Sequence, residues 1–217
     1  MGKSKLGPVD WTAIQPAPVV GVDEVGRGCL AGPVVAAAVI LSYPQKKVFT
    51  DSKLVPAPRR EELLAHVQSD HRFAVGFASV EEINTLNIFH ASLLAMKRAV
   101  EGLALGMAPC HLVIDGKWKI PGMPEWCAQT PYVKGDLRCE PISAASIVAK
   151  VTRDRYMRDL AENFPEYGFD IHKGYATLHH RDMLAALGPT ADHRAHFNGV
   201  RLEDFVETGA GENVLEV

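Results

Sequence analysis

From Val19 onward the chain alternates short, nearly unbroken apolar runs with longer stretches of helical spacing. Val19, Val20 and Val22 predict a short strand, Gly26-Arg27-Gly28 a turn, and residues 34–41 a second strand rich in valine and alanine. Because these runs are continuous rather than alternating, both strands are expected to be covered on both faces. Residues 59–67 predict a short helix behind Pro56 and Pro58, and residues 73–78 a further strand. Residues 80–105 read as helical in two pieces, with Leu93, Leu94, Met96 and Val100 on the apolar face. A short buried strand follows at residues 111–114 and ends at Asp115-Gly116; residues 120–131 read as a Pro/Gly-rich loop, and Tyr132-Val133 as a brief strand. Residues 143–164 give the strongest helical signal, with Ala144, Ile147, Val148 and Val151 on one face and Ser143 able to cap the start. The remainder is expected to be mainly helical through Leu187.

Strands interleave with helices, there is no internal repeat, and no composition break marks a second domain, so one α/β domain is the economical expectation. Residues 1–17, with Pro8 and Pro16, read as a flexible lead-in, residues 18–200 as the domain (its helical C-terminal part about 155–200), and residues 201–217 as an acidic tail.

Composition narrows the function less than the pattern does. Hydrophobic residues make up 47% and charged residues 23% of the 217, an ordinary balance for a soluble domain. No stretch has the length of apolar sequence a membrane helix needs, and Lys3 and Lys5 have no apolar run behind them, so a cytoplasmic protein is expected. Cys29, Cys110, Cys127 and Cys139 lack metal-ligand spacing and read as reduced, buried thiols, and the nine histidines form no zinc pattern. The net charge of −3 is weak guidance: the segment from Arg201 carries five acids and one arginine, leaving 21 acids against 22 bases elsewhere.

The candidate chemistry lies in acids beside glycine near the ends of apolar strands: Asp23-Glu24, Asp115 before Gly116, and Asp136 after Gly135. Four carboxylates brought together repel one another unless divalent cations neutralise them, and hard oxygen donors suit Mg²⁺ or Mn²⁺. Adjacent strand residues point to opposite faces, so Asp23 and Glu24 are expected to serve one site only if Glu24 already lies in the turn leading to Gly26. For any single Asp-Gly a solvated turn is the commoner explanation, and the spacing of these acids goes no further.

Seven segments carry a specific resemblance: GVDEVGRGCLAGPVVAAAVIL (21–41), Asp51-Ser52-Lys53, VIDGK (113–117), VKGD (133–136), SAASIVAKVTRD (143–154), HKGYATLHH (172–180) and LGPTADHRAHF (187–197). In that order, and over roughly residues 19–200, the chain resembles bacterial ribonuclease HII, the type 2 ribonuclease H family. The resemblance implies an RNase H-like mixed β-sheet flanked by helices, with a mainly helical C-terminal segment. It implies that Asp23, Glu24, Asp115 and Asp136 are the catalytic carboxylates and ligands of two Mn²⁺ or Mg²⁺ ions, one generating the attacking hydroxide and the other stabilising the leaving 3′ oxygen. The implied substrates are RNA–DNA hybrids and duplex DNA with an embedded ribonucleotide, cut to 5′-phosphate and 3′-hydroxyl ends. Gly26, Arg27 and Gly28 would meet the ribose 2′-hydroxyl, and Tyr175 the sugar of the following deoxynucleotide. Lys53, Ser143 and Lys173 would contact substrate, with Lys134 and Lys150 as further phosphate candidates. Asp51 is expected to support the site, Asp154 to be an exposed helix-face charge, and His179-His180 surface or local packing. His196 departs from the family pattern. The partner implied is a nucleic-acid duplex, with the protein a monomer and no membrane involved. Another RNase H-fold phosphoryl transferase, of resolvase or transposase type, or a non-catalytic hybrid-binding protein, are the alternatives; the first should lack the GRG and KGY motifs, the second one or more of the acids.

Overall fold

The computed structural model describes residues 6–45, 48–49, 52 and 55–200. Five strands form one sheet: β1 (Val19–Val25), β2 (Val34–Ile40), β3 (Arg72–Ala78), β4 (Cys110–Asp115) and β5 (Cys127–Tyr132), in the order β3-β2-β1-β4-β5. β1 runs antiparallel to β2 and parallel to β4, and β4 parallel to β5, so the sheet is mixed. Helices α1 (Ala57–Asp70), α2 (Val80–Gly102) and α3 (Glu140–Asn163) accompany it, followed by short α4 (Phe169–His172) and α5 (Leu178–Leu187). Among the described residues no helix is long and apolar enough to cross a membrane.

The described residues cluster into two compact units: those within 6–25, 35–77 and 92–151 form the first, and those within 26–34, 78–91 and 152–200 the second. Each is assembled from separated segments, which is why no change of composition along the chain announces either. In the first unit, Leu63, Leu64 and Val67 of α1 and Ala144 to Val151 of α3 share a core with Ala37 and Val39 of β2. Burying each such leucine or valine contributes about 1.5–3 kcal/mol, and small alanines let helix and strand approach. In the second unit, Met157 and Leu160 of α3 pack with Leu30, Tyr167, Phe169 and Leu184.

Several elements differ from the expectation. α2 is interrupted at Asn87 (φ 68°), whose carboxamide oxygen accepts from the backbone N–H of Phe89 at 2.9 Å and so caps the second of the two expected pieces. β5 occupies residues expected as loop; its Pro131 is tolerated because, among the described residues, β5 is an edge strand of the sheet. Ser143 does not cap α3, which begins at Glu140; its hydroxyl instead donates to the carbonyls of Asp136 (2.6 Å) and Cys139 (3.1 Å). Part of the N-terminal lead-in is packed: Val9, Trp11 and Ile14 lie against Val19, Val113 and Ile142, and Trp11 Nε1 donates to Glu140 at 3.2 Å. The tail beyond Val200 lies outside the described residues. The four cysteines are free and buried.

Candidate active site

β1 runs past both acids, pairing Asp23 with Ala37, Glu24 with Ala36 and Val25 with Val35. Glu24 is therefore on the strand and not in the turn: the antiparallel ladder holds its backbone extended, and the chain turns only at Gly26 (φ 100°). Ideal strand alternation would aim the two side chains apart. Asp23 is buried, at 6% exposure, and Glu24 only partly so. Their charges still interact. Burial, then Glu24, then Asp115 hold the Asp23 carboxyl well above the usual carboxylate range, opposed by hydrogen bonds from Ser146 and from the Glu24 N–H at 2.8 Å.

Asp115 closes β4, one step past the register pair Val22–Ile114, so Asp23 and Asp115 are next in line on neighbouring parallel strands. The Gly135 N–H donates to Asp115 Oδ1 at 2.7 Å. Gly135 opens the 3-10 turn Gly135–Leu137, which carries Asp136 and is entered through Lys134 in left-handed conformation (φ 56°). Ser143 holds the same turn through the Asp136 carbonyl. Ser146, which meets Asp23, is itself hydrogen-bonded to Ser52 at 2.9 Å, both hydroxyls being buried. Among the described residues no three His, Cys, Asp or Glu side chains are gathered as a ready-made ion cage. Mg²⁺ does not require one; it keeps several waters and takes one or two carboxylates together with substrate phosphates. Three hard-oxygen acids whose mutual repulsion raises Asp23 are a donor set that such an ion suits.

In the second unit, Gly26 and Gly28 owe their identity to different causes. A Cβ on Gly26 would lie 2.4 Å from Arg153 Nε, and its φ of 100° disfavours any other residue. Gly28 is exposed, and a Cβ there would meet nothing within 4 Å. The surrounding loop is held by two fully buried arginines. Arg153 donates to the carbonyls of Pro33 (2.9 Å), Ala31 (2.9 Å) and Lys173 (2.8 Å). Arg194 donates to Gly32 (3.0 and 2.8 Å) and Arg27 (3.0 Å), and burial lowers it to about 10, which leaves it cationic at neutral pH. Tyr175 forms an isolated antiparallel bridge with Cys29 and remains 38% exposed, while burial, foremost, pushes its hydroxyl up.

A profile of the family described as Ribonuclease HII matches residues 20–200. This chain belongs to the ribonuclease HII family. The ribonuclease HII of Parvibaculum lavamentivorans is 49% identical over 203 residues, covering 90% of this chain and 74% of that protein. Among solved structures, the ribonuclease H2 of Pyrococcus horikoshii superposes with a TM-score of 0.68 at 23% identity, covering 88% of this chain and 98% of its own. Bst-RNase HIII, solved in complex with Mn²⁺, gives 0.69 at 19% identity, covering 87% of this chain and 70% of its own. Both likenesses carry the fold, an RNase H2/H3-type mixed sheet with flanking helices. Membership of ribonuclease HII makes the protein an enzyme, an endoribonuclease of the ribonuclease H class.

Within this ribonuclease HII fold, Asp23, Asp115 and the turn bearing Asp136 come together in the first unit, with Glu24 next to Asp23 on β1 and its charge acting on that carboxyl. Gly26, Arg27, Gly28, Lys173 and Tyr175 belong to the second. Asp51 and Lys53 lie outside the described residues. Asp154 is corrected: it is buried at 9% exposure, because its stretch of α3 faces the second core instead of solvent. His180, expected as surface or local packing, is fully buried, whereas His179 and His196 are exposed. Sequence reasoning missed Ser146, Arg153 and Arg194. Each sits inside a quoted motif, but a serine or arginine there gives no local sign of being buried.

Proposed function

We propose that the protein hydrolyses the RNA strand of RNA–DNA hybrids and incises duplex DNA at single embedded ribonucleotides, leaving 5′-phosphate and 3′-hydroxyl ends. Residues 18–200 would form the catalytic part, acting as a monomer in the cytoplasm and opening ribonucleotide excision repair. What carries this function is the burial of Asp23 beside Glu24 and Asp115, a costly arrangement that a bound cation relieves while leaving the carboxylate ionised. Asp23, Glu24, Asp115 and Asp136 would hold two Mg²⁺ or Mn²⁺ ions, and the Mn²⁺ complex of the ribonuclease HIII neighbour supports this choice. Two such ions supply Lewis acidity to the attacking water and the departing oxygen.

The chain's own groups do the rest. The Gly135 N–H orients Asp115, and Ser146 with the Glu24 N–H orients Asp23, keeping the carboxylates from turning away. Gly28 supports 2′-hydroxyl recognition at the GRG segment: among the described residues nothing fills the space of its missing side chain, so an approaching ribose is a sufficient reason for glycine. Tyr175 would pack on the deoxyribose that follows the ribonucleotide, with Arg27, Lys53 and Lys173 contacting substrate, while Ser143, expected as a contact, is buried and holds the turn bearing Asp136 instead.

The test is cleavage of a duplex with one embedded ribonucleotide, supplied with Mg²⁺ or Mn²⁺, using the wild type, Asp23→Asn and Gly28→Ala. The wild type should cut 5′ of the ribonucleotide, and Asp23→Asn should not. Gly28→Ala should melt with the wild type yet lose most of its cleavage. A wild-type protein inert on this duplex but active on uniform hybrid would remove the junction function, and a fully active Gly28→Ala the role of the GRG backbone.

A further inference from the structure

The second unit buries three imidazoles that take no part in the chemistry above: His172, His180 and His193, at 8%, 0% and 3% exposure. The rings of His172 and His180 stack with centroids 4.4 Å apart. His180 Nε2 and His193 Nε2 face each other at 3.0 Å, so one proton lies between them. The neighbouring hydrogen bonds decide which ring carries it. The Thr190 N–H donates to His193 Nδ1 at 2.9 Å, which leaves the His193 proton on Nε2. His193 Nε2–H therefore donates to His180, and His180, protonated on Nδ1, donates to the Tyr175 carbonyl at 2.9 Å. By the same logic the Gly174 N–H donates to His172 Nδ1 (3.1 Å), and His172 Nε2–H donates to the Tyr167 carbonyl (2.6 Å). All three rings are neutral single tautomers, and burial agrees, lowering His172, holding His180 at about 4 and His193 at about 3.

The chain of donors runs one way, from Thr190 through His193 and His180 to Tyr175. It ends on a turn that needs support. Lys173 (φ 52°) and Gly174 (φ 80°) are consecutive left-handed residues, a conformation costly for the lysine. The turn is closed by the Tyr175 N–H donating to the His172 carbonyl at 3.0 Å. It meets the GRG segment through the Leu30 N–H, which donates to the Gly174 carbonyl at 2.8 Å, and through the Cys29–Tyr175 bridge. The Tyr175 carbonyl is thus gripped by an imidazole on the inner side while its ring stays partly exposed.

We propose that His180 and His193 are positioning residues for substrate discrimination: their hydrogen-bond chain fixes the Tyr175 main chain, and so sets the preference for an RNA–DNA junction over uniform hybrid. The proposal rests on the reading of Tyr175 as the group that packs on the deoxyribose. It differs from that reading in placing the control of the preference in two buried rings that touch no substrate.

The measurement is kcat and KM on two duplexes, one with a single embedded ribonucleotide and one uniform hybrid, together with the Tm of each variant. His180→Leu deletes the donor to Tyr175; His180→Asn keeps an N–H in the Nδ1 position. Tyr175→Ala is the reference. Tyr175→Ala and His180→Leu should each lower the junction-to-hybrid ratio of kcat/KM about fivefold or more, the scale of one lost hydrogen bond, and His180→Asn should restore it to within about twofold. An unchanged ratio in Tyr175→Ala removes the reading of Tyr175 and the proposal with it. A lowered ratio in Tyr175→Ala but not in His180→Leu overturns the proposal alone, as does an equal fall on both substrates in proportion to Tm, or no rescue by asparagine. Should His180→Leu not fold, His193→Gln, which reaches the Nε2 position, and His193→Asn, which does not, read the same ratio. Retention in the first and loss in the second supports the chain; equal ratios overturn it.

Discussion

In the unit that carries the sheet, the buried ionisable group at the site is Asp23, and its charged neighbours are Glu24 and Asp115. In the other unit the buried ionisable groups include Arg153 and Arg194, whose neighbours are main-chain carbonyls, and three histidines held neutral by their own hydrogen bonds. The first arrangement concentrates like charge and is relieved by something from outside the chain. The second satisfies its donors from within. One unit is thus built to receive cations, and the other to hold a loop and a turn in fixed shape whether or not ions are present.

The sharpest way to break this contrast is Asp23→Asn. Activity should fall about 10³-fold or more, the scale on which losing one member of a catalytic unit acts. Binding to uncleavable hybrid should be retained, and the metal-free protein should melt higher, because a buried repelling charge has gone. Full turnover in this variant would remove Asp23 from the chemistry; a lower metal-free Tm would show that its charge is compensated after all. Next comes Arg153→Leu, which leaves three carbonyls without their donor. Leaving each buried acceptor unsatisfied costs about 1–3 kcal/mol, and at about 2–4 °C per kcal/mol the Tm should drop by roughly 10 °C. That loss should be the same with and without Mg²⁺. A drop cancelled by metal would tie the second unit's stability to the ions.

Metal itself should act more moderately. At a hundredfold excess over its dissociation constant an ion adds about 2.7 kcal/mol, raising Tm of the wild type and much less that of Asp23→Asn. The sign with pH follows from Asp23: its folded pKa lies above the ordinary value of 3.8, so the metal-free fold binds that proton more tightly than the unfolded chain and loses stability as pH rises through the window above 3.8. The metal-induced shift should therefore be larger at neutral pH than near pH 4, close to the ordinary carboxylate value, where binding must displace the proton. Equal shifts at both would mean Asp23 is already ionised without metal. An effect confined to acid pH belongs to the histidines. His180 and His193 are lowered from 6.5 to about 4 and about 3, so their contribution is full above 6.5 and is lost as pH falls toward those values. His193→Gln should flatten this acid limb in a metal-free melting series, and an unchanged slope would place the acid sensitivity elsewhere.

The histidines also mark where reading the sequence stopped. The run His179-His180 reads as surface or local packing, and nothing local separates an exposed ring from one buried completely beneath a turn. Arg153 and Arg194 mislead in the same way, since arginine is mostly a surface residue. Their burial depends on carbonyls drawn from residues 27–33 and Lys173, far away along the chain. Glu24 failed differently. The glycines at 26 and 28 did signal a turn, but the ladder with β2 carries the strand through Val25 first.

The sequence by itself determined the interleaving of strands and helices, the break within α2, the placing of acids at strand ends and, through seven ordered motifs, the family. These are properties of short segments, where apolar period, turn residues and side-chain chemistry act over a few neighbours. Only the tertiary structure decided that Asp23 is buried beside Asp115, that Ser146 orients it, that Asp154 is inside, and that two arginines and a chain of imidazoles hold the GRG and KGY segments. Burial and hydrogen-bond partnership depend on which distant segments meet, and for a charged or polar residue that meeting reverses the meaning its local pattern suggests.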